Sequence, residues 1–129
     1  MKHKRLVRSI LSLLVLQFVL GMLANLYATI PQERPYEVFH QFGYILFHAL
    51  NGALLLVLGT ILIVRSRRQT RAVLVPAITG LVSLVLAFSF GELFVFMQND
   101  LFSLLMAFAF IGGLLSYAQL AFAMPANKD

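Results

Sequence analysis

The sequence predicts an all-α membrane protein, a four-helix transmembrane bundle running up-down-up-down with both termini cytoplasmic. Three observations carry this. Hydrophobic residues make up 60% of the 129 and charged residues only 12%, about half the charged share of an ordinary soluble domain. The apolar residues collect in four long uninterrupted stretches. The basic residues fall almost entirely at one end of those stretches.

The stretches cover residues 6–30, 38–64, 72–97 and 101–124. At 1.5 Å per residue each is long enough to cross a ~30 Å hydrocarbon core with some tilt. Lipid cannot satisfy free backbone groups, and the segments are far too long for barrel strands, so helices are the reading. The connections 31–37, 65–71 and 98–100 are short, which makes sequential helices antiparallel. A single domain spans the chain.

Orientation follows from the positive charges. Lys2, Lys4, Arg5 and Arg8 precede the first span, Arg65, Arg67, Arg68 and Arg71 fill the second connection, and Lys128 closes the chain. That places nine of the ten Lys and Arg residues on one side, against Arg34 alone on the other. Cytoplasmic loops retain Lys and Arg, so this side is assigned to the cytoplasm and the protein to the plasma membrane as a multi-pass protein. Glu33, Glu37 and Asp100 lie opposite. A basic start before an apolar run also describes a signal peptide. Here the run continues through Gly21 and Asn25, and the site near Leu26-Tyr27-Ala28 lacks a small residue three before the cut. The first span is therefore expected to be retained.

The charge balance of +5 and pI near 10.1 do not imply nucleic acid, because the basic residues sit where topology requires them and where anionic lipid is met. Membrane lipids are the expected surroundings, with a homodimer or a membrane-complex partner as the candidate assembly. Cysteine is absent, which excludes disulfides, thiolate metal sites and cysteine nucleophiles. No G-x-S-x-G, H-E-x-x-H or phosphate-cradling glycine loop is present, and Ser83 and Ser89 have no histidine level with them. An enzyme is not the expected class.

Small residues recur on three spans. Gly80, Ser83, Ala87 and Gly91 lie at spacings of three and four on the third. Ala109, Gly113 and the Gly112–Ser116 pair mark the fourth, and Gly52 and Gly59 the second. Close approach, not hydrophobic drive, holds helices together in lipid, so these predict packing seams or a dimer face.

Polar groups inside a span are costly and are functional suspects. Glu92 lies five residues before the outer end of the third span, ~7.5 Å below it. Its carboxyl serves as a proton-binding group, ligand contact or cation partner, or equally as a structural group bonded to a neighbouring helix. His40, Tyr44 and His48, four residues apart, make a slowly drifting stripe on the second span that Asn51 and Gly52 continue. A lone buried histidine is more often structural than a ligand. Gln17, Gly21 and Asn25 mark the first span. Asn25, His40, Tyr44, His48 and Glu92 thus share the outer half of the bilayer, and the expected ligand-binding pocket is built from them.

The cofactor is unassigned. Haem is one option through imidazole ligation, yet two histidines on one helix do not reach opposite faces of one iron. A bis-histidine haem needs a dimer, and a single-histidine haem needs another ligand type. A quinone bonded by His48, Tyr44 or Asn25 is the other redox option. Zinc is disfavoured by the missing cysteine and the single intramembrane carboxylate. A transporter or channel protomer using Glu92 is the third class. Small multidrug transporters keep their glutamate in the first span and use tryptophan, and small dimeric fluoride channels carry a Thr-Phe-Ser third span. This sequence has neither pattern.

One resemblance begins at Leu16-Gln17-Phe18, followed by Leu20-Gly21-Met22-x-x-Asn25-Leu26-Tyr27 and Ile30-Pro31. It continues with His40 and, eight residues on, His48-Ala49-Leu50-x-Gly52. These residues resemble a group of small bacterial four-span membrane proteins without an assigned biochemical activity. The likeness covers mainly the first two spans. Those proteins have a longer first outer loop with His-Pro, where this chain has Gln32-Glu33-Arg34-Pro35. The resemblance draws attention to Asn25, His40 and His48 and implies no reaction.

Overall fold

The computed structural model describes residues 2–123. Met124, the last residue of the fourth expected span, and Lys128, counted above with the basic face, lie outside the described residues. The described chain is helical almost throughout. Helix α1 (Lys2–Tyr27) is followed by a 3-10 turn (Pro35–Glu37) and a short α2 (Val38–Gln41). Three long helices complete it: α3 (Gly43–Ser66), α4 (Arg71–Met97) and α5 (Asp100–Ala123). The four long helices are each long and apolar enough to cross a membrane.

The boundaries have local causes. The second expected span is not one helix, because Phe42 is extended at φ −127° and ψ 96° and separates α2 from α3. Gly43 follows it, and glycine is a poor helix former that gives way where the chain must turn. His40 therefore lies on α2, off the stripe that carries Tyr44 and His48. Between α4 and α5, Gln98 adopts a left-handed conformation at φ 50° and returns its N–H to the Phe94 carbonyl at 2.8 Å. Asn99 then caps α5, its Oδ1 accepting from the Leu101 N–H at 2.9 Å. Asp100 adds negative charge to that helix start.

Each long helix has two neighbours. Helix α1 packs on α3 and α5, and α4 packs on the same two. Contacts show every neighbouring pair to be antiparallel. Gly91 meets Met106 and Gly80 meets Tyr117 across α4 and α5, while Gly52 meets Phe88 and Gly59 meets Leu81 across α3 and α4. Phe18 stacks on Phe110 across α1 and α5, ring centroids 6.4 Å apart. Up-down-up-down order is the observed arrangement.

Buried positions repeat at three, four and seven: Val7, Ile10 and Leu14 on α1, Leu55 and Leu62 on α3, Ala77 and Leu84 on α4, Tyr117 and Leu120 on α5. This is the spacing of an inward-facing helix stripe. Outward faces are apolar as well, with Val15, Phe47, Val57, Val82, Phe108 and Leu115 all exposed. A surface of that kind is unsuited to water and suited to lipid. The chain is a multi-pass helical membrane protein.

The small residues form seams within the chain. A Cβ added at Gly112 would sit 3.1 Å from Ser83 Oγ, and one at Gly113 would sit 3.3 Å from Leu84 Cδ2. Beside them Thr79 Oγ1 donates to Ser116 Oγ at 3.2 Å. Close α4–α5 approach needs these glycines. Gly91 is different, because a Cβ there would meet only the Met106 sulfur, at 3.1 Å, and a methionine side chain yields easily. Gly91→Ala is therefore expected to leave stability unchanged or raise it by up to ~1 kcal/mol through helix propensity, read in a denaturant titration in bicelles.

Candidate functional site

The polar groups inside the bundle meet between α1 and α3. Gln17 lies ten residues before the end of α1, ~15 Å along the axis. His48 and Asn51 face it from adjacent turns of α3. Asn51 Nδ2 donates to the Leu13 carbonyl at 3.0 Å and to Gln17 Oε1 at 2.7 Å. Gln17 Nε2 lies 3.2 Å from His48 Nε2.

These contacts fix one another's sense. The Leu13 carbonyl only accepts, so the Asn51 group facing it is the NH2. The Gln17 atom facing that NH2 is then the oxygen, which turns the Gln17 NH2 toward His48. His48 Nε2 must accept, so its proton is on Nδ1 and the imidazole is neutral. Nδ1 is buried and has no hydrogen-bond partner. Four polar groups, three side chains and a carbonyl, thus form a directed clamp with one donor left over.

Glycines make room for it. A Cβ at Gly21 would lie 3.1 Å from His48 Cε1, and one at Gly52 would lie 3.4 Å from both Gln17 Nε2 and Phe88. The imidazole rests against α1 because Gly21 has no side chain.

The five residues expected to share a pocket lie on four helices. His48 is in the clamp. Tyr44 is half-buried in the first turn of α3, its ring 5.6 Å from that of Phe42, its hydroxyl buried and unpartnered. Asn25 lies exposed two residues from the end of α1, and His40 is exposed on α2. Glu92 is exposed on α4, one turn from Ser89 and on the same outward face. None of the five is hydrogen-bonded to another. Among the described residues, no group of three His, Cys, Asp or Glu side chains is placed to hold a metal.

Gln17 and Asn51 are the members that sequence reasoning set aside. Both were visible as polar residues next to glycine-bearing turns, Gln17 before Gly21 and Asn51 beside Gly52. Pairing the first two spans antiparallel puts them near one depth, and that alignment is the signal that finds them.

The centre of the bundle is closed by Tyr117, which is fully buried. From α5 it reaches between Gly59 on α3 and Gly80 on α4. A Cβ at Gly59 would stand 2.7 Å from its hydroxyl, and one at Gly80 would stand 2.9 Å from ring atoms Cε2 and Cζ.

Fold and site together define a class: a small multi-pass helical bundle whose first two long helices are joined by an amide–imidazole clamp. Comparison of the chain with family models, with curated proteins and with solved structures finds no match in any of the three.

Proposed function

We propose that the chain is a bacterial plasma-membrane protein with its arginine-rich end and both termini in the cytoplasm, and that it acts by binding or assembly within the membrane. The positive charges support the orientation, eight of the nine Lys and Arg among the described residues lying at one end of the bundle. The observation that carries the function is Glu92. It projects from the outward face of α4 five residues before Met97, ~7.5 Å from the helix end. Among the described residues the one ion pair joins Arg34 to Glu37, at 3.1 Å, and Glu92 has no hydrogen-bond partner.

A carboxyl held at that depth costs free energy unless a cation or a donor meets it. The bundle interior does not meet it: Glu92 is on the exposed face of α4, and the buried donors on Tyr44, His48 and Tyr117 have no partner. The partner therefore approaches from outside along Ser89, Glu92 and Phe96, either as a second copy or as another membrane subunit bearing a basic or hydroxyl group. A redox role through His48 fits less well. An iron ligated at Nε2 has to displace Gln17, and Nδ1 is buried against Gly21.

The test is a photo-crosslinking side chain placed at Ser89 in the native membrane. A discrete adduct is expected, lost in Glu92→Leu, with none from the same group at Leu50, which is exposed on α3. No adduct at Ser89, or an adduct indifferent to Glu92, contradicts assembly through this face.

A further inference from the structure

We propose that the α1–α5 seam at the arginine-rich end is a binding site for one phospholipid with an anionic headgroup. A recess opens there between the two helices, lined by Lys4, Val7, Arg8 and Ala121. Its floor is apolar, Val7 being 1% exposed, and its rim is basic. Lys4 and Arg8 are one turn apart on α1, so both side chains reach the same opening. His3, one turn before Val7, has a buried Nδ1 without a partner. Among the described residues no carboxylate pairs with Lys4 or Arg8, the one ion pair being that of Arg34 with Glu37.

The recess is a cleft between two helices rather than a basic surface alone, and an apolar stripe leaves it along the α1–α5 seam. Lys4, Arg8, Leu11, Val15 and Phe18 follow one another at spacings of four, three, four and three, a continuous line along α1. Val15 is 62% exposed and Phe18 56%. Phe18 stacks on Phe110 of α5, which marks the line as the edge of the α1–α5 seam. It runs ~21 Å from the cations to that aromatic pair. Two cations at the membrane surface followed by an apolar track toward the bilayer centre match a phosphate-bearing headgroup with an acyl chain below it. An anionic soluble metabolite has no use for the track, and a neutral lipid has none for the cations.

The site requires only that the chain crosses a bilayer, and does not depend on which side its arginines face. Basic recesses between helices commonly receive anionic headgroups, each Lys or Arg adding a factor of about five to affinity.

The detergent-purified chain is titrated with phosphatidylglycerol or phosphatidylcholine and read by native mass spectrometry, and is separately assembled into nanodiscs. Retention of one phosphatidylglycerol per chain is expected, in preference to phosphatidylcholine. The Lys4→Gln/Arg8→Gln double variant should weaken it about thirtyfold. Arg67→Gln/Arg68→Gln, which removes as much charge from the same end, should leave it nearly unchanged, and Lys4→Arg should restore it beside an intact Arg8. Equal retention of the two lipids, or equal losses in the two double variants, overturns the site. Failure to enter nanodiscs as a helical protein would count instead against the membrane assignment, whereas a chain that inserts but holds no anionic lipid refutes only this proposal.

Discussion

Tyr117→Ala is expected to destabilise the bundle by about 3–5 kcal/mol, the range for emptying a fully buried aromatic position. Tyr117→Phe is expected to be neutral or slightly stabilising, because the hydroxyl it removes is buried without a partner. The two glycines beneath the ring then separate. Gly80→Ala drives a methyl to 2.9 Å from ring carbons, and overpacking of that kind costs about 1–3 kcal/mol. Tyr117→Phe keeps those carbons, so it should not rescue Gly80→Ala. Gly59→Ala instead meets the hydroxyl at 2.7 Å and the flexible end of Leu81 at 3.0 Å, so Tyr117→Phe should recover most of its loss. Reversible unfolding in bicelles, measured on the two double variants, distinguishes these outcomes. Equal rescue of both glycines would show that the ring does not lie between α3 and α4 as described.

The second large effect falls on the clamp. Asn51→Ala removes both donated bonds and leaves Gln17 Oε1 and His48 without their orienting group. A loss of about 1–2 kcal/mol is expected, toward the upper end of what interhelical hydrogen bonds contribute in membranes. Gln17→Ala should cost about as much. Because both act through one network, the double variant should lose little more than either single variant, a coupling of about 1 kcal/mol. Simple additivity would mean that the two amides do not act on one another. His48→Phe should be milder than either, since His48 accepts one bond and its remaining nitrogen has no partner.

The legible part of the fold was the part that lipid dictates. Four apolar stretches and short connections led to antiparallel helices, and the small residues at Gly80, Ser83, Gly91, Gly112 and Gly113 to packing seams or a dimer face, without saying which helices they join. The break at Phe42 was not legible, because residues 38–64 read as one predominantly apolar stretch and composition alone does not separate a continuous helix from two. His40 left the stripe for that reason. The expected outer-half pocket illustrates a different limit. Depth along a helix is readable from residue count, but rotation about the helix axis is not readable when every face is apolar. In a soluble bundle the polar face reports the rotation, whereas here both faces of α4 read alike and only the packed structure turns Glu92 outward. Gln17 and Asn51 fall on stripes of different spans when each helix is read alone, and only antiparallel alignment of the first two spans makes them partners.

Four crossings with the arginine-rich end inside underlie the function proposed above, and the chain's lack of cysteine allows the topology to be measured with single introduced thiols. Glu33→Cys, in the connection after α1, and Gln69→Cys, in the exposed turn between α3 and α4, are each expressed in intact cells and treated with a membrane-impermeant maleimide. Glu33→Cys is expected to label in intact cells, and Gln69→Cys only after lysis. Labelling of Gln69→Cys in intact cells with protection of Glu33→Cys would reverse the topology. Labelling of both from outside would remove the four-span bundle on which the rest of the account stands.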